Sequence, residues 1–146
     1  MMDSSGTIKK YFDQMKAFVS DLIGKFLDVN GGVARVGAVT YNKEVGTTIN
    51  LDEHSSVTSL QTAINNLRFM GGYTYTDRPL QYVRENITGN AGDRTNVPNV
   101  VVVLTDGCAH SDRWGRTQVR VNYCIRGSQN VARTFSSVYQ NRAYSN

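Results

Sequence analysis

Val97-Pro98-Asn99-Val100-Val101-Val102-Val103-Leu104-Thr105-Asp106-Gly107, residues 97–107, is the stretch that decides the fold. Val100 to Val103 run without interruption into Leu104, so the segment is apolar on both faces. A strand must read that way when it lies centrally in a parallel sheet with helices over both sides. The run is also far too short to span a bilayer, which argues against a membrane span. Polar Asn90 to Asn96 precede it as a loop, and Thr105-Asp106-Gly107 end it abruptly. In open α/β sheets ligands gather at the carboxyl ends of strands, so Thr105, Asp106 and Gly107 mark where chemistry is to be sought.

Outward from that strand, helical and strand patterns alternate. Ile8, Tyr11, Phe12, Met15, Phe18, Val19, Leu22, Ile23 and Phe26 recur at spacings of three and four, the apolar face of one long amphipathic helix. Asn30-Gly31-Gly32 ends it, and two β-rich runs follow, Val33 to Tyr41 and Val45 to Leu51, joined by a turn at Asn42-Lys43-Glu44. Ser55 or Ser56 can cap a second helix whose buried face is Val57, Leu60, Ile64 and Leu67. Gly71-Gly72 breaks the chain before a third helix over about Asp77 to Ile87, with Pro79 tolerable only in its first turn. This order predicts an α/β fold, a Rossmann-like sandwich with a mostly parallel central sheet flanked by helices.

The size, 146 residues, suits a single domain, and 40% hydrophobic residues with two prolines describe a chain able to bury a core. Charge is distributed unevenly. Residues 1–107 carry a net −1, whereas residues 108–146 hold six arginines against one aspartate and contain no Lys, Glu or Leu. The chain therefore divides into a domain over 1–107 and a divergent basic segment over 108–146. In that segment Val119 to Ile125 alternates like a strand, and Val131, Phe135, Val138 and Tyr139 share a helix face. Its arginines are scattered singly, which argues for a solvated basic surface and against specific nucleic-acid binding.

Three hydroxyl- and carboxylate-rich segments fall at the loop positions of this fold. They are Asp3-Ser4-Ser5-Gly6-Thr7, Gly72-Tyr73-Thr74-Tyr75-Thr76 and Thr105-Asp106-Gly107. Two carboxylates and several hydroxyls, with no His or Cys, form a hard oxygen site suited to Mg²⁺ or a similar cation and poorly suited to Zn²⁺. Each segment also has an ordinary structural reading. Asp3, Ser4 and Ser5 are common helix caps, Thr74 and Thr76 can cap the third helix, and Asp106-Gly107 is a frequent turn dipeptide. Their conjunction favours a site. Tyr73, Tyr75 and Trp114 read equally as partner contacts or as packing.

These residues resemble the von Willebrand factor type A domains and their metal-ion-dependent adhesion site. The family pattern of Asp-x-Ser-x-Ser, a later Thr and a later Asp is met by Asp3, Ser5, Thr7, Thr74 and Asp106, with Thr in place of the third Ser. Arg35-Val36-Gly37, Val39-Thr40-Tyr41, Met70-Gly71-Gly72 and Leu80-Gln81-Tyr82-Val83 also agree, most closely with the extracellular-matrix branch of matrilins and collagen A domains. The resemblance covers residues 1–107. It implies that Ser5, Thr7 and Thr74 offer hydroxyl oxygens to Mg²⁺, Mn²⁺ or Ca²⁺, with Asp3 and Asp106 acting directly or through water. It also implies an extracellular module whose cation takes its last oxygen from an acidic side chain of a protein partner, a matrix protein or collagen.

The sequence departs from the family at both ends. The family places a hydrophobic strand before the first Asp, whereas only Met1 and Met2 precede Asp3, so the central strand is expected to be missing or truncated. No signal-peptide pattern opens the chain. Cys108 and Cys124 enclose 15 residues, and a disulfide between them would contribute about 3 kcal/mol on the loop-entropy account; two free thiols are an equal reading. Asn86-Ile87-Thr88 is a glycosylation sequon.

Two alternatives to an adhesion module remain open. One is a truncated A-type domain with no working metal site. The other is an enzyme, because Asp3-Ser4-Ser5-Gly6-Thr7 also resembles the Asp-x-Asp-Gly-Thr motif of haloacid-dehalogenase-type phosphohydrolases. Ser5 replaces the second Asp of that motif, the acid and base of its chemistry, and no Ser-His or Cys-His pair is found elsewhere. A binding function is therefore expected over an enzymatic one.

Overall fold

A computed structural model describes residues 1–90 and 92–106. The expected strand at 119–125, the helix face at 131–139, both cysteines, His110 and Trp114 lie outside the described residues. Among the described residues the sheet has three strands, β1 (Met2–Asp3), β2 (Ala38–Tyr41) and β3 (Val45–Ile49), in that spatial order. β1 runs parallel to β2, pairing Met2 with Thr40 and Asp3 with Tyr41, and β2 runs antiparallel to β3. On its other edge β1 meets Leu104 through a parallel bridge from Met2.

The helices are α1 (Phe12–Phe26), preceded by a 3₁₀ turn over Gly6–Tyr11, then α2 (Val57–Asn65) and α3 (Asp77–Tyr82). α3 continues as a π turn through Val83–Ile87, closed by the Thr88 amide on the Val83 carbonyl at 2.9 Å. Pro79 stands third in α3, within the first turn, where its missing N–H costs no helical bond. Ser56 caps α2 by accepting from the Ser59 amide, as expected of one of the two serines there.

Alternation along the strands places helices on both sides of the sheet. Met2, Ala38, Leu104 and Val102 pack with Ile8 of the 3₁₀ turn and with Phe12, Ile23, Leu60 and Ile64 of α1 and α2, while Met1, Val39 and Val101 pack with Val83 and Ile87 beyond α3. The valine run thus feeds both cores, the property that identified it in the sequence. α1 and α2 are also tied directly, the Gln61 amide donating to the Ser20 carbonyl at 2.8 Å.

The strand expected over 97–104 is nevertheless reduced to its last residues. Its neighbour begins only at Met1, whose ammonium donates to the Val102 carbonyl at 2.7 Å. The Leu104 amide then donates to the Met1 carbonyl at 3.0 Å, and the Asp3 amide to the Leu104 carbonyl at 2.8 Å. Residues before Val102 have no strand of the described chain beside them, and Val100 is 60% exposed. β2 is shortened similarly: it begins at Ala38 and not at Val33. Between the two shortened segments lies an apolar cavity of about 520 Å³, lined by Met1, Leu22, Ile23, Ala38, Val100 and Val102 among others. Phe26, expected on the buried face of α1, is 75% exposed because nine apolar positions make a stripe wider than the surface that α1 covers.

Candidate metal centre

β1 delivers Asp3 to the carboxyl end of the sheet, in register with Tyr41 and beside Leu104. Asp3, Ser4 and Ser5 are all buried. The Asp3 carboxylate is held at both oxygens: Oδ1 accepts from the Ser5 amide at 2.8 Å and Oδ2 from the Thr105 hydroxyl at 2.6 Å. The second bond links the first loop to the one that follows the valine run. Charge-assisted bonds of this kind fix a carboxylate in place before any ligand arrives.

The hydroxyls continue the cluster. Ser5 Oγ lies 3.4 Å from Thr7 Oγ1, and the Thr7 hydroxyl donates to Asp106 Oδ1 at 3.2 Å. Asp3, Ser5, Thr7 and Asp106 therefore stand in one chain of short polar contacts joining two loops that are remote in sequence. Thr74 is buried on the adjacent loop. That loop is laced to the first by the Gly71 amide on the Ser4 carbonyl and the Gly6 amide on the Gly72 carbonyl, both at 2.8 Å, and by the Met70 amide on the Ser4 hydroxyl at 2.7 Å. Gly71 and Gly72 have φ of 78° and 89°, the left-handed conformation that glycine adopts without steric cost, which is why the break in the sequence falls there. Four of the five expected ligands are linked in sequence by these contacts, Asp3 through the Ser5 backbone amide, and Thr74 is buried on the adjoining loop.

Ser5 and Thr76 are not helix caps. Ser5 flanks the 3₁₀ turn and Thr76 flanks α3, and neither side chain makes a capping hydrogen bond. Ser4 spends its hydroxyl on the Met70 amide instead. Ser56, away from the cluster, does cap.

The electrostatics suit a positive ligand. Burial, and after it the nearby Asp3 carboxylate, raises the pKa of Asp106 above the ordinary aspartate value, with Thr7 opposing. Two carboxylates compete for one small volume without a cation of the protein between them. Tyr41 supplies an independent sign. Its side chain is wholly buried, its pKa is raised by burial and then by Asp3, and its hydroxyl is the one buried side-chain polar atom without a hydrogen-bond partner among the described residues. An orphaned buried hydroxyl near Asp3 and Asp106 fits a site that takes a hydrated cation. Among the described residues no group of three His, Cys, Asp or Glu forms, in keeping with a donor set made mostly of hydroxyls.

Sequence reasoning named the expected ligands and missed the residues that tie their loops together. Thr105, Ser4 and Asn42 hold the site together, Asn42 through its side-chain amide on the Gly71 carbonyl at 2.6 Å. Thr105 stood in a quoted segment, and its neighbour Asp106 drew the attention. Tyr73 is 64% exposed at the rim, and Tyr75 carries Arg78 over its ring at 5.5 Å.

This geometry is that of an α/β domain whose sheet ends in a cluster of one buried carboxylate, a second carboxylate and interleaved hydroxyls. The chain belongs to the von Willebrand factor type A domain family, whose profile matches residues 1–136 and so extends past Gly107. It is 33% identical over 114 residues to von Willebrand factor A domain-containing protein 2 of Xenopus laevis, covering 77% of this chain and 14% of that protein. It is 33% identical over 109 residues to human vitrin, covering 73% of this chain and 16% of the relative. The chain thus spans less than a fifth of the length of these relatives. Among solved structures it resembles proximal thread matrix protein 1 of the mussel byssus, with a TM-score of 0.69 and 28% identity over 76% of this chain and 30% of that one. A further structure of that protein, with a zinc-occupied metal-ion-dependent adhesion site, matches with a TM-score of 0.68, 26% identity, and 76% and 31% coverage. No helix among the described residues is long and apolar enough to cross a membrane.

Proposed function

We propose that this chain is a non-enzymatic, extracellular adhesion module that binds a protein partner through a divalent cation held by Asp3, Ser5, Thr7, Thr74 and Asp106. The observation that carries the reading is the run of contacts from Thr105 through Asp3 and from Thr7 to Asp106, which joins two distant loops into one oxygen-rich cluster. A bound cation there supplies a positive centre with few protein charges around it, able to accept an oxygen from outside. Mg²⁺ or Mn²⁺ suits the hydroxyl-rich set best, with Ca²⁺ as a third candidate. The zinc-occupied site of the mussel protein makes Zn²⁺ a competitor to be measured alongside.

The protein residues do the rest. Asp3 stays fixed by its two hydrogen bonds, while Thr7 and Asp106, both exposed at the rim, face an incoming ligand. A partner carboxylate on a matrix protein or collagen completes the shell, and Tyr73 at the rim offers an aromatic surface beside it. Ser5 stands where a phosphohydrolase of the Asp-x-Asp-Gly-Thr kind needs its acid and base, which supports binding over turnover.

The test is partner capture. Chain 1–146 on a sensor surface should bind an acidic collagen-type peptide in 1 mM Mn²⁺, release it in a chelator, and fail to bind the peptide with its Glu changed to Gln. Capture that is indifferent to the chelator rejects the cation-bridged mechanism, and steady hydrolysis of a generic phosphoester would restore the enzymatic alternative.

A further inference from the structure

Tyr41 ends β2 directly alongside Asp3, and its side chain is fully buried. Nothing in the packing calls for a hydroxyl: a phenylalanine would fill the same space and avoid the cost of a polar atom left without a partner. Asp3, Thr76 and Thr105 lie near enough to act on the phenol electrostatically, yet its oxygen has no hydrogen-bond partner among the described residues. Thr105 is meanwhile committed to Asp3 Oδ2. The phenol is thus a fully buried polar atom on the strand paired with Asp3.

We infer that the Tyr41 hydroxyl is a positioning group of the cation site, partnered only when a hydrated divalent cation is bound between Asp3 and Asp106. This rests on the cation-binding reading above and deepens it. A phenol carries one donor and two acceptor lone pairs, so it can accept from a water of the cation's shell while donating to a carboxylate. Such outer partners hold ligating carboxylates in place and commonly change metal affinity by about 10–100-fold when removed. The role also explains a buried hydroxyl that costs the empty domain and benefits only the loaded one.

The two states therefore respond to Tyr41→Phe with opposite signs. In chelator, the denaturant midpoint of the variant should equal or exceed that of the parent, because no satisfied bond is lost. In calorimetric titration with MnCl₂ alone, its dissociation constant should rise roughly tenfold or more. If the parent binds Mn²⁺ and the variant binds it equally well, the inference fails while the site stands. If the variant is weaker but also less stable in chelator, the hydroxyl has a partner in the empty domain and its role is structural, which overturns the inference. If the parent itself gives no saturable binding, the cation-site reading fails first.

Discussion

Asp3 shows what a single residue contributes in this fold. Its carboxylate is wholly buried and takes two hydrogen bonds, so its geometry is set before any cation arrives. Thr105→Val should remove the 2.6 Å bond and leave a buried charge short of a donor, destabilising the chain by about 1.5–3 kcal/mol. Equilibrium denaturation in chelator measures this, and an unchanged midpoint would mean that the bond contributes nothing to folding. Ser5→Ala, by contrast, removes a hydroxyl with only a 3.4 Å contact to Thr7 and no capping role, so it should leave the melting temperature in chelator within a degree or two and weaken Mn²⁺ binding. Asp3, Ser5, Thr7, Thr74 and Asp106 could be singled out in the sequence because together they match the family's pattern, although each alone reads as a cap or a turn. Thr105, Ser4 and Tyr41 could not, since their contribution depends on which loops meet in space.

At the scale of elements, the long helix, the hairpin, the second helix and the glycine break were readable because each rests on local pattern. The extent of β1, of β2 and of the valine segment was not, because a strand's length is set by its neighbours. Val100 to Val103 have the composition of a central strand, yet their pairing is limited to the Met1 hydrogen bond on Val102 and the bridge between Met2 and Leu104. The same junction gives a pH signature. Burial pushes the Met1 ammonium down from 8.0 to about 6. Between those values the unfolded chain holds a proton that the folded chain sheds, so stability rises with pH from 6 to 8 and levels off above 8. The gain is on the order of 3 kcal/mol, from roughly 1.4 kcal/mol per pKa unit. Denaturation midpoints at pH 6, 7 and 8 should show the rise, and acetylating the amino terminus should flatten it. A rise that survives acetylation would assign the slope to other groups.

The whole molecule combines a described α/β body with a basic segment, and the two cores of the body share an apolar cavity of about 520 Å³ at the edge of β1. Five apolar residues such as Val-Val-Phe-Leu-Leu placed ahead of Met1 would continue β1 into that cavity, pairing with both Ala38 and Val100. Burying about four side chains at roughly 1.5–3 kcal/mol each, before entropy is subtracted, should raise the denaturant midpoint clearly and remove the pH 6–8 slope in the same variant. Equal midpoints would mean that the cavity is already filled by other residues of the chain. The family's profile reaches residue 136, farther than the resemblance over residues 1–107 read from motifs. Asn86 of the sequon is exposed at the π turn, its side-chain amide donating to the Tyr82 carbonyl at 3.1 Å.

The central claim is that the cluster at the end of the sheet holds a divalent cation. It is tested most directly by isothermal titration of Mg²⁺ and Mn²⁺ into chain 1–146 and into its Asp106→Ala variant. The account predicts saturable binding near one ion per chain for the parent, and a loss of at least about tenfold in affinity for the variant, since a hard cation loses one of its two carboxylates. Equal binding by the two proteins, or no binding by a folded parent, would contradict it.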